Sequence, residues 1–350
     1  MKVGLYKQHL GGLHKGYLEK YEQILDFNGI DCIWLEASKP DFWEQVSDLD
    51  LFIFQWEHYD TPKQVAGSII PIIQYEMNIP CFPSWETSWH YDDKIRQYYL
   101  LKQHGFPIIE SYIFWERAEV LKWLESAKMP VIFKLKGGAG SSNVILVKDK
   151  WKAMKLVSKM FGQGIRSGRI SDNSSLHRKY LRPYKRLRRF AGTAVRKLRG
   201  EYKPLYWNID KDYILFQKFL PNNLYDTRVS IIGERAFAFR RFNRENDFRA
   251  SGSGNIDYDV NAIDLRAVEI AFDISNRFGF QSMSYDFLFN EDKNLELSEI
   301  SYTYVDTAVY DCPGYWDKDL HWSEGHFWPQ YCQLVDALKM PELKQPELVQ

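Results

Sequence analysis

Net charge is the first thing this sequence lacks. Its 46 Lys and Arg residues equal its 46 Asp and Glu, so the chain as a whole advertises no polyanionic partner, and nucleic acid is not expected as one. Cysteine is scarce and scattered. Cys32, Cys81, Cys312 and Cys332 form no CxxC pair, which argues against a disulfide framework or a zinc site and suits a reducing compartment. No apolar run approaches the length of a membrane span, and the opening "MKVGLYKQHLGG" holds no apolar stretch of signal-peptide length. The expected location is cytoplasmic. Two common nucleotide signatures are missing as well. Gly11-Gly12 is followed by Leu13, His14 and Lys15, so no GxGxxG turn follows the first strand. In "FKLKGGAGSSNVILV" Lys134 and Lys136 precede Gly137 and another strand follows, whereas a P-loop lysine comes after its glycines and opens a helix.

Core material, by contrast, is plentiful: the 350 residues are 45% apolar and 16% aromatic, too much chain for one small core, so two or three domains are expected. Residues 1–92 alternate strand and helix. "KVGLY", "CIWL", "DLFIF" and "IPCF" read as strands, with helices in "HKGYLEKYEQILDFNG" and "IIPIIQYEMN", which implies a parallel sheet. From residue 93 the character changes. "DDKIRQYYLLKQHGF" is helical, "PIIESYIF" extended, and the helix "RAEVLKWLESAK" leads into a strand, glycine loop and strand at 131–147. The next helix, "DKWKAMKLVSKMF", has Asp149 as its expected N-cap. From 213 strands dominate: "YILFQKFL", a hairpin "TRVSIIGERAFAFRRF" turning at Gly233-Glu234, the helix "AIDLRAVEIAFDISNRFG" and a second hairpin "SMSYDFLFNEDKNLELSEIS". The expected class is α/β followed by α+β.

Residues 162–205 break the charge balance, with 13 Lys and Arg against two acids. Pro183 and Gly192 interrupt any single long helix. The plain reading is a solvated, partly helical insertion. The sharper one is a patch for an anionic partner, whether a membrane surface, a phosphorylated carrier or nucleic acid, and Tyr180, Tyr184 and Phe190 would suit headgroups or stacked bases equally.

The second hairpin carries the most chemistry. With its turn centred between Asp292 and Lys293, Asp286 and Glu299 stand directly opposite across the ladder. Opposed carboxylates repel unless something positive lies between them, and two hard oxygen donors at that spacing suit Mg²⁺. The alternative is a solvated polar face. The first hairpin concentrates arginine: Arg228, Arg240, Arg241, Arg244 and Arg249. Arg240 and Arg241 must face opposite sides, and Arg241 shares its face with Phe237 and Phe239, so burial or a ligand has to accommodate its charge. Guanidinium groups suit phosphate or carboxylate; the alternative is surface arginines with their stems on apolar neighbours. In the glycine loop, backbone N–H groups and the hydroxyls of Ser141 and Ser142 are donors for phosphate, and Lys134 and Lys136 are expected on one strand face. By itself that loop reads as a turn.

Taken in order, these elements resemble the ATP-grasp fold over about residues 93–305, in the style of the glutathione-synthetase-like and ribosomal-protein-glutamylating ligases. The resemblance implies a Rossmann-like pre-ATP-grasp domain at 1–92, a lid subdomain at 93–212 that contains the basic insertion, and a metal-bearing subdomain at 213–350. It implies Lys94 and Lys134 as phosphate lysines, with Gly137, Gly138, Gly140, Ser141 and Ser142 as the lid. It gives Gln217, Lys218, Phe219 and Leu220 to adenine and Asp226 to ribose. Arg228, Arg241 and Arg249 fall at catalytic, anion-binding positions, and Asp286, Glu299 and Ser301 at metal positions. The usual Glu-x-Asn reads "EIS" here, and a hydroxyl is a poorer metal ligand than an amide carbonyl. "NNLYDTRV", "FRRFNRENDFRASGSGN" and "EISY" further resemble a group linked with bacterial surface-polysaccharide biosynthesis.

The implied activity is ADP-forming ligation of a carboxylate to an amine through an acyl phosphate, with ATP and Mg²⁺ (Mn²⁺ as the alternative metal). The carboxylate would be a small molecule or a glycan precursor. Rival readings are a phosphotransferase acting on a sugar hydroxyl and a weakly catalytic nucleotide-binding scaffold. Further expectations are a homodimer and a peripheral position at the inner membrane face through the basic insertion. His321 and His326 are the candidates for a general base.

Overall fold

Val3, Gly4 and Leu5, consecutive on the strand Lys2–Tyr6 and so facing both sides of it, are all buried, as the centre of a parallel sheet covered on both faces requires. That sheet runs in the order Asp31–Leu35, Lys2–Tyr6, Leu51–Ile53, Cys81–Phe82, every pair parallel. The structure is a computed structural model and describes residues 1–7, 16–138, 140, 143–167 and 206–348. The chain makes two compact units. One joins Met1–His58, Pro62–Ile109 and Leu220–Gln350, and the other joins Tyr59–Thr61 to Glu110–Phe219. Residues 93–109, expected with the lid, thus lie in the first unit, and 213–219 lie in the second.

In the first unit a seven-stranded sheet accompanies the parallel one. Its order is Leu295–Ser301, Ser282–Phe289, Tyr225–Ile232, Arg235–Phe242, Gly314–Trp316, Trp322–Glu324, with Ile256–Asp257 paired to Arg235–Phe242. The helix Leu265–Phe278 buries Ala267, Val268, Ala271, Phe272 and Ile274. Asp264 caps its start by accepting from the Arg266 N–H, and Gly279 ends it at φ +64°. One continuous core holds both sheets, from Phe52, Phe54 and Ile70 to Val229, Tyr285 and Ile300.

The expected helix at residues 69–78 is longer than its sequence suggests. It begins as Asp60–Pro71 and continues as a π turn, Ile72–Glu76. "DTPKQVAGS" is weak helix-forming sequence, but Pro62 sits near the start, where it is tolerated, and Ala66, Ile69, Ile70 and Ile73 bury one stripe.

The second unit carries an antiparallel sheet in the order Ser111–Phe114, Ile214–Lys218, Val131–Lys134, Val144–Val147. Trp123, from the helix Arg117–Ser126, stacks on Phe216 at 5.4 Å between centroids and packs against Tyr112 and Phe114. Asp149 caps Lys150–Met160 by accepting from the Lys152 N–H. Among the described residues no helix is long and apolar enough to cross a membrane.

Candidate active site

The second hairpin builds the site. Asp286 on Ser282–Phe289 stands directly opposite Glu299 on Leu295–Ser301. A bulge enforces this: Phe287 pairs with Leu297, which leaves Ser298 as the extra residue before the ladder resumes at Glu299. On the other side of the same strand, Asp286 faces Arg228, and Asp226 in turn faces Arg241. Arg228 donates Nε and Nη2 to the two Asp286 oxygens at 2.7 and 2.8 Å. Arg241 clasps Asp226 through Nε and Nη2 at 2.7 and 2.6 Å, and its Nη2 also lies 2.7 Å from Asp286 Oδ2. Glu299 Oε1 lies 3.0 Å from Lys94 Nζ.

Lys94 is the first residue of the helix Lys94–Gln103, whose N-cap Asp93 accepts from the Ile95 and Arg96 N–H groups. Burial works against its charge, but Glu299 and then Asp92 outweigh it and hold the Lys94 ammonium above its ordinary value. Burial likewise pushes Asp286 up, and Arg228 and Arg241 overcome it, leaving this carboxyl well below the usual carboxylate range. Burial depresses Arg241 less than Asp286 and Asp226 raise it. Burial raises the Asp226 carboxyl although Arg241 beside it pulls the other way. Counted by formal charge, the three acidic side chains of the set balance its two arginines and one lysine.

Arg249 has a carboxylate partner of its own. It forms a two-pronged pair with Asp247, at 2.9 and 2.6 Å, with both side chains buried. Arg240 faces the other way, bound to Asp257 and lying over the Tyr225 ring at 4.9 Å. Ser301 Oγ donates to the Thr303 carbonyl at 2.8 Å. His321, exposed, pairs with Asp317, and His326 Nδ1 lies 2.8 Å from the Tyr310 carbonyl. Among the described residues neither histidine shares a partner with the arginine–carboxylate set.

No family model matches the chain, and no curated protein matches it in sequence. Solved structures do match. D-cycloserine synthetase superposes with a TM-score of 0.57 over 97% of this chain and 99% of its own, at 11% identity. Carboxyaminoimidazole ribonucleotide synthase from Aspergillus clavatus, complexed with ATP, gives 0.56 over 97% and 77%, at 14% identity. A RimK domain ATP-grasp protein from Sphaerobacter thermophilus gives 0.51 over 86% and 90%, at 13% identity. The chain has the ATP-grasp fold.

Of the other expected nucleotide residues, those from Lys134 to Phe219 lie in the second unit, and Leu220 and Asp226 in the first. Lys134 is buried at the end of Val131–Lys134. Lys136 lies beyond the strand, its ammonium 5.7 Å from the Tyr213 ring centroid and its N–H donating to Tyr213 Oη at 2.9 Å. Lys136 thus lies outside the strand expected to hold both lysines. Asn143 pins the glycine loop at its base, donating to the Gly137 carbonyl at 2.9 Å and to Ser167 Oγ at 2.6 Å. Gly138 has φ +106°, and a Cβ there would lie 2.1 Å from Asn143 Nδ2, so glycine is required. Gly140 is exposed, whereas Ser141, Ser142 and residues 168–205 of the basic insertion fall outside the described residues. Gln217 is buried and donates to Ser111 Oγ at 3.3 Å, Lys218 is exposed, and Leu220 is buried across the unit boundary that follows Phe219. Asp226, expected at the ribose, has both oxygens on Arg241.

The donor set can be tested against Mg²⁺. Asp286 accepts three charged hydrogen bonds, and a carboxylate offers about four lone-pair sites, so one remains. The Glu299 side chain is 33% exposed. One or two carboxylates completed by phosphate oxygens is how Mg²⁺ is usually held. A neutral cluster gains little from a bare dication, so these residues fit a metal that arrives with a polyphosphate. Sequence reasoning missed Asp247, although it lies two residues before Arg249. It also missed the Lys94–Glu299 pair, which no local pattern announces.

Proposed function

We propose that the chain is an ATP-dependent carboxylate–amine ligase. The observation that carries this is the neutral cluster of Asp226, Asp286, Glu299, Arg228, Arg241 and Lys94 on an ATP-grasp fold. A metal taking Asp286 and Glu299 would free Arg228 and Lys94, now paired with those carboxylates, to turn to phosphate. A substrate carboxylate oxygen attacks the γ-phosphorus of ATP, the β–γ P–O bond breaks, and ADP leaves with the electron pair. The amine then attacks the acyl-phosphate carbonyl carbon. The bond from that carbon to the phosphate oxygen breaks, and the new amide nitrogen releases a proton. Mg²⁺, held by Asp286 and Glu299, would neutralise charge on the phosphate oxygens.

Arg228 and Arg241 turn their forks to the transferring phosphoryl group, Asp226 keeps Arg241 aimed, and Lys94 adds a point charge. By the resemblance to ATP-grasp ligases, Lys134 and the glycine loop are assigned to phosphate and Gln217 through Leu220 to adenine. The carboxylate or its acceptor is a surface-glycan precursor or an amino-acid-like molecule.

Asp286→Asn and Glu299→Gln are each expected to lower Mg²⁺-dependent ADP formation by about 100-fold or more, with circular dichroism unchanged. Unchanged turnover would remove the metal assignment. ADP release that requires both a carboxylate and an amine, with an amide seen by mass spectrometry, supports the ligase. A stable phosphorylated product would make the enzyme a phosphotransferase instead.

A further inference from the structure

The parallel sheet has a switch point. From Lys2–Tyr6 the chain goes to Asp31–Leu35 on one side and then to Leu51–Ile53 on the other. In open parallel sheets, ligands bind outside the carboxyl ends of the strands at such a point. The segment leaving Leu51–Ile53 there is Phe54-Gln55-Trp56-Glu57. Its path is fixed at both ends of this short run. The Phe54 N–H donates to the Phe82 carbonyl at 2.9 Å, extending the ladder, and the Trp56 N–H donates to Tyr302 Oη.

Three consecutive side chains of this segment are buried and carry orphaned polar atoms. Gln55, Trp56 and Glu57 are 6%, 5% and 5% exposed, and among the described residues nothing pairs with Gln55 Nε2, Trp56 Nε1 or Glu57 Oε2. A buried, unpartnered donor or acceptor costs about 1–3 kcal/mol, and a charged one more. Three in succession at a sheet's ligand-binding edge are arranged for something other than the fold.

The segment also belongs to the neighbourhood of the site. Tyr302, which anchors Trp56, is three residues beyond Glu299, about 10 Å along an extended chain. Thr303 Oγ1 donates to Tyr91 Oη at 3.0 Å, and the Tyr91 ring lies 6.0 Å from Trp56. Trp85 lies 6.3 Å from Trp56 on a further contact. The available chemistry is a carboxylate oxygen, an amide donor and aromatic faces. That set complements a cation with an oxygen acceptor next to it.

Building on the ligase reading above, we infer that Gln55 and Glu57 bind the amine-bearing cosubstrate, recognising a primary ammonium flanked by an oxygen acceptor. Glu57 takes the ammonium and Gln55 Nε2 the neighbouring oxygen. Two molecular classes share that chemistry, a small amino acid and an amino sugar.

The test is direct binding to the full chain, with ADP and Mg²⁺ present, by saturation-transfer NMR and calorimetry. The probes are L-alanine and D-glucosamine, beside lactate and glucose, which lack the ammonium. At least one ammonium probe is expected to bind, at least tenfold tighter than its deaminated counterpart, and which one binds identifies the class. Glu57→Gln should weaken that probe at least tenfold and Gln55→Leu severalfold, while the ATP dissociation constant moves less than twofold, which also shows that the variants fold. ATP binding without binding of either ammonium probe overturns the inference and leaves the ligase reading standing. So does a Glu57→Gln protein that keeps the probe, since the orphaned atoms would then be held by structural water. Failure of the parent chain to bind ATP overturns both.

Discussion

Glu57 and His90 are buried groups that act on stability with opposite signs. Burial raises the Glu57 carboxyl from 4.5 to about 7, and burial is the main cause that brings His90 from 6.5 to about 4. Between those Glu57 values the native state keeps a proton that the unfolded chain has released, so this contribution to stability falls as pH rises. Across the His90 window the unfolded chain takes up a proton that the native state refuses, so that contribution is lost as pH falls. The two slopes oppose each other where the windows overlap, and removing one group exposes the other. Glu57→Gln is expected to give stability that rises with pH from about 4.5 to 6.5 relative to the parent, with a net gain by about pH 8. His90→Phe, which keeps the ring contact with Phe280, should do the reverse in acid. Urea midpoints across that range measure both, and a Glu57→Gln curve parallel to the parent's would refute the assignment. At this scale strand periodicity made Asp286 and Glu299 legible as a pair, and it also gave Arg240 and Arg241 their opposite faces. It could not show that two arginines would close on Asp286, because partner choice among five nearby arginines depends on which strands become neighbours.

Hairpins and helices were the most legible elements, because turn residues and caps act locally. The turn at Gly233-Glu234 lies where its sequence puts it, between Tyr225–Ile232 and Arg235–Phe242. What the sequence could not show is its tertiary contact. Gly233 has φ +55°, and a Cβ there would lie 2.1 Å from Asp336 Oδ2, the carboxylate that accepts from Arg235 at 3.1 Å. Gly233→Ala therefore combines left-handed strain with a broken ion pair, and is expected to cost about 1–3 kcal/mol in denaturant unfolding. Asp336→Ala alone should cost under about 1 kcal/mol, since that pair is partly exposed. An equal loss in the two variants would mean that backbone strain contributes nothing. The second hairpin was harder to read. Its turn centre was inferred from a regular ladder, and the bulge at Ser298 shifts the register by one residue between turn and site. A bulge has no reliable sequence mark, so the right pair emerged from an incomplete ladder.

At the scale of the molecule, sequence order suggested successive domains, whereas the first unit is assembled from three stretches that include both ends of the chain. Contacts between residues hundreds of positions apart leave no periodic trace, and the helix Pro329–Leu338 shows how they work. Gln333 on that helix donates to Ser282 Oγ, Tyr304 Oη and Tyr17 Oη at 3.2, 2.9 and 3.4 Å, and accepts from Tyr21 Oη. One turn earlier Gln330 donates to Asp306 at 2.8 Å, and Asp306 accepts from Lys20 at 2.6 Å. Every member of this network is buried, so each hydroxyl left unpaired carries its full desolvation cost. Gln333→Leu keeps the volume and removes the hub, and it is expected to destabilise the first unit by about 2–4 kcal/mol. Because the network ties Tyr17–Phe27 to Pro329–Leu338, amide exchange should accelerate in these two helices together. The strands Val131–Lys134 and Ile214–Lys218 belong to the other unit and should keep their protection. Equal acceleration in all four elements would show that the chain opens as one cooperative body, and would sink the prediction that its first and last helices unfold apart from the inserted unit.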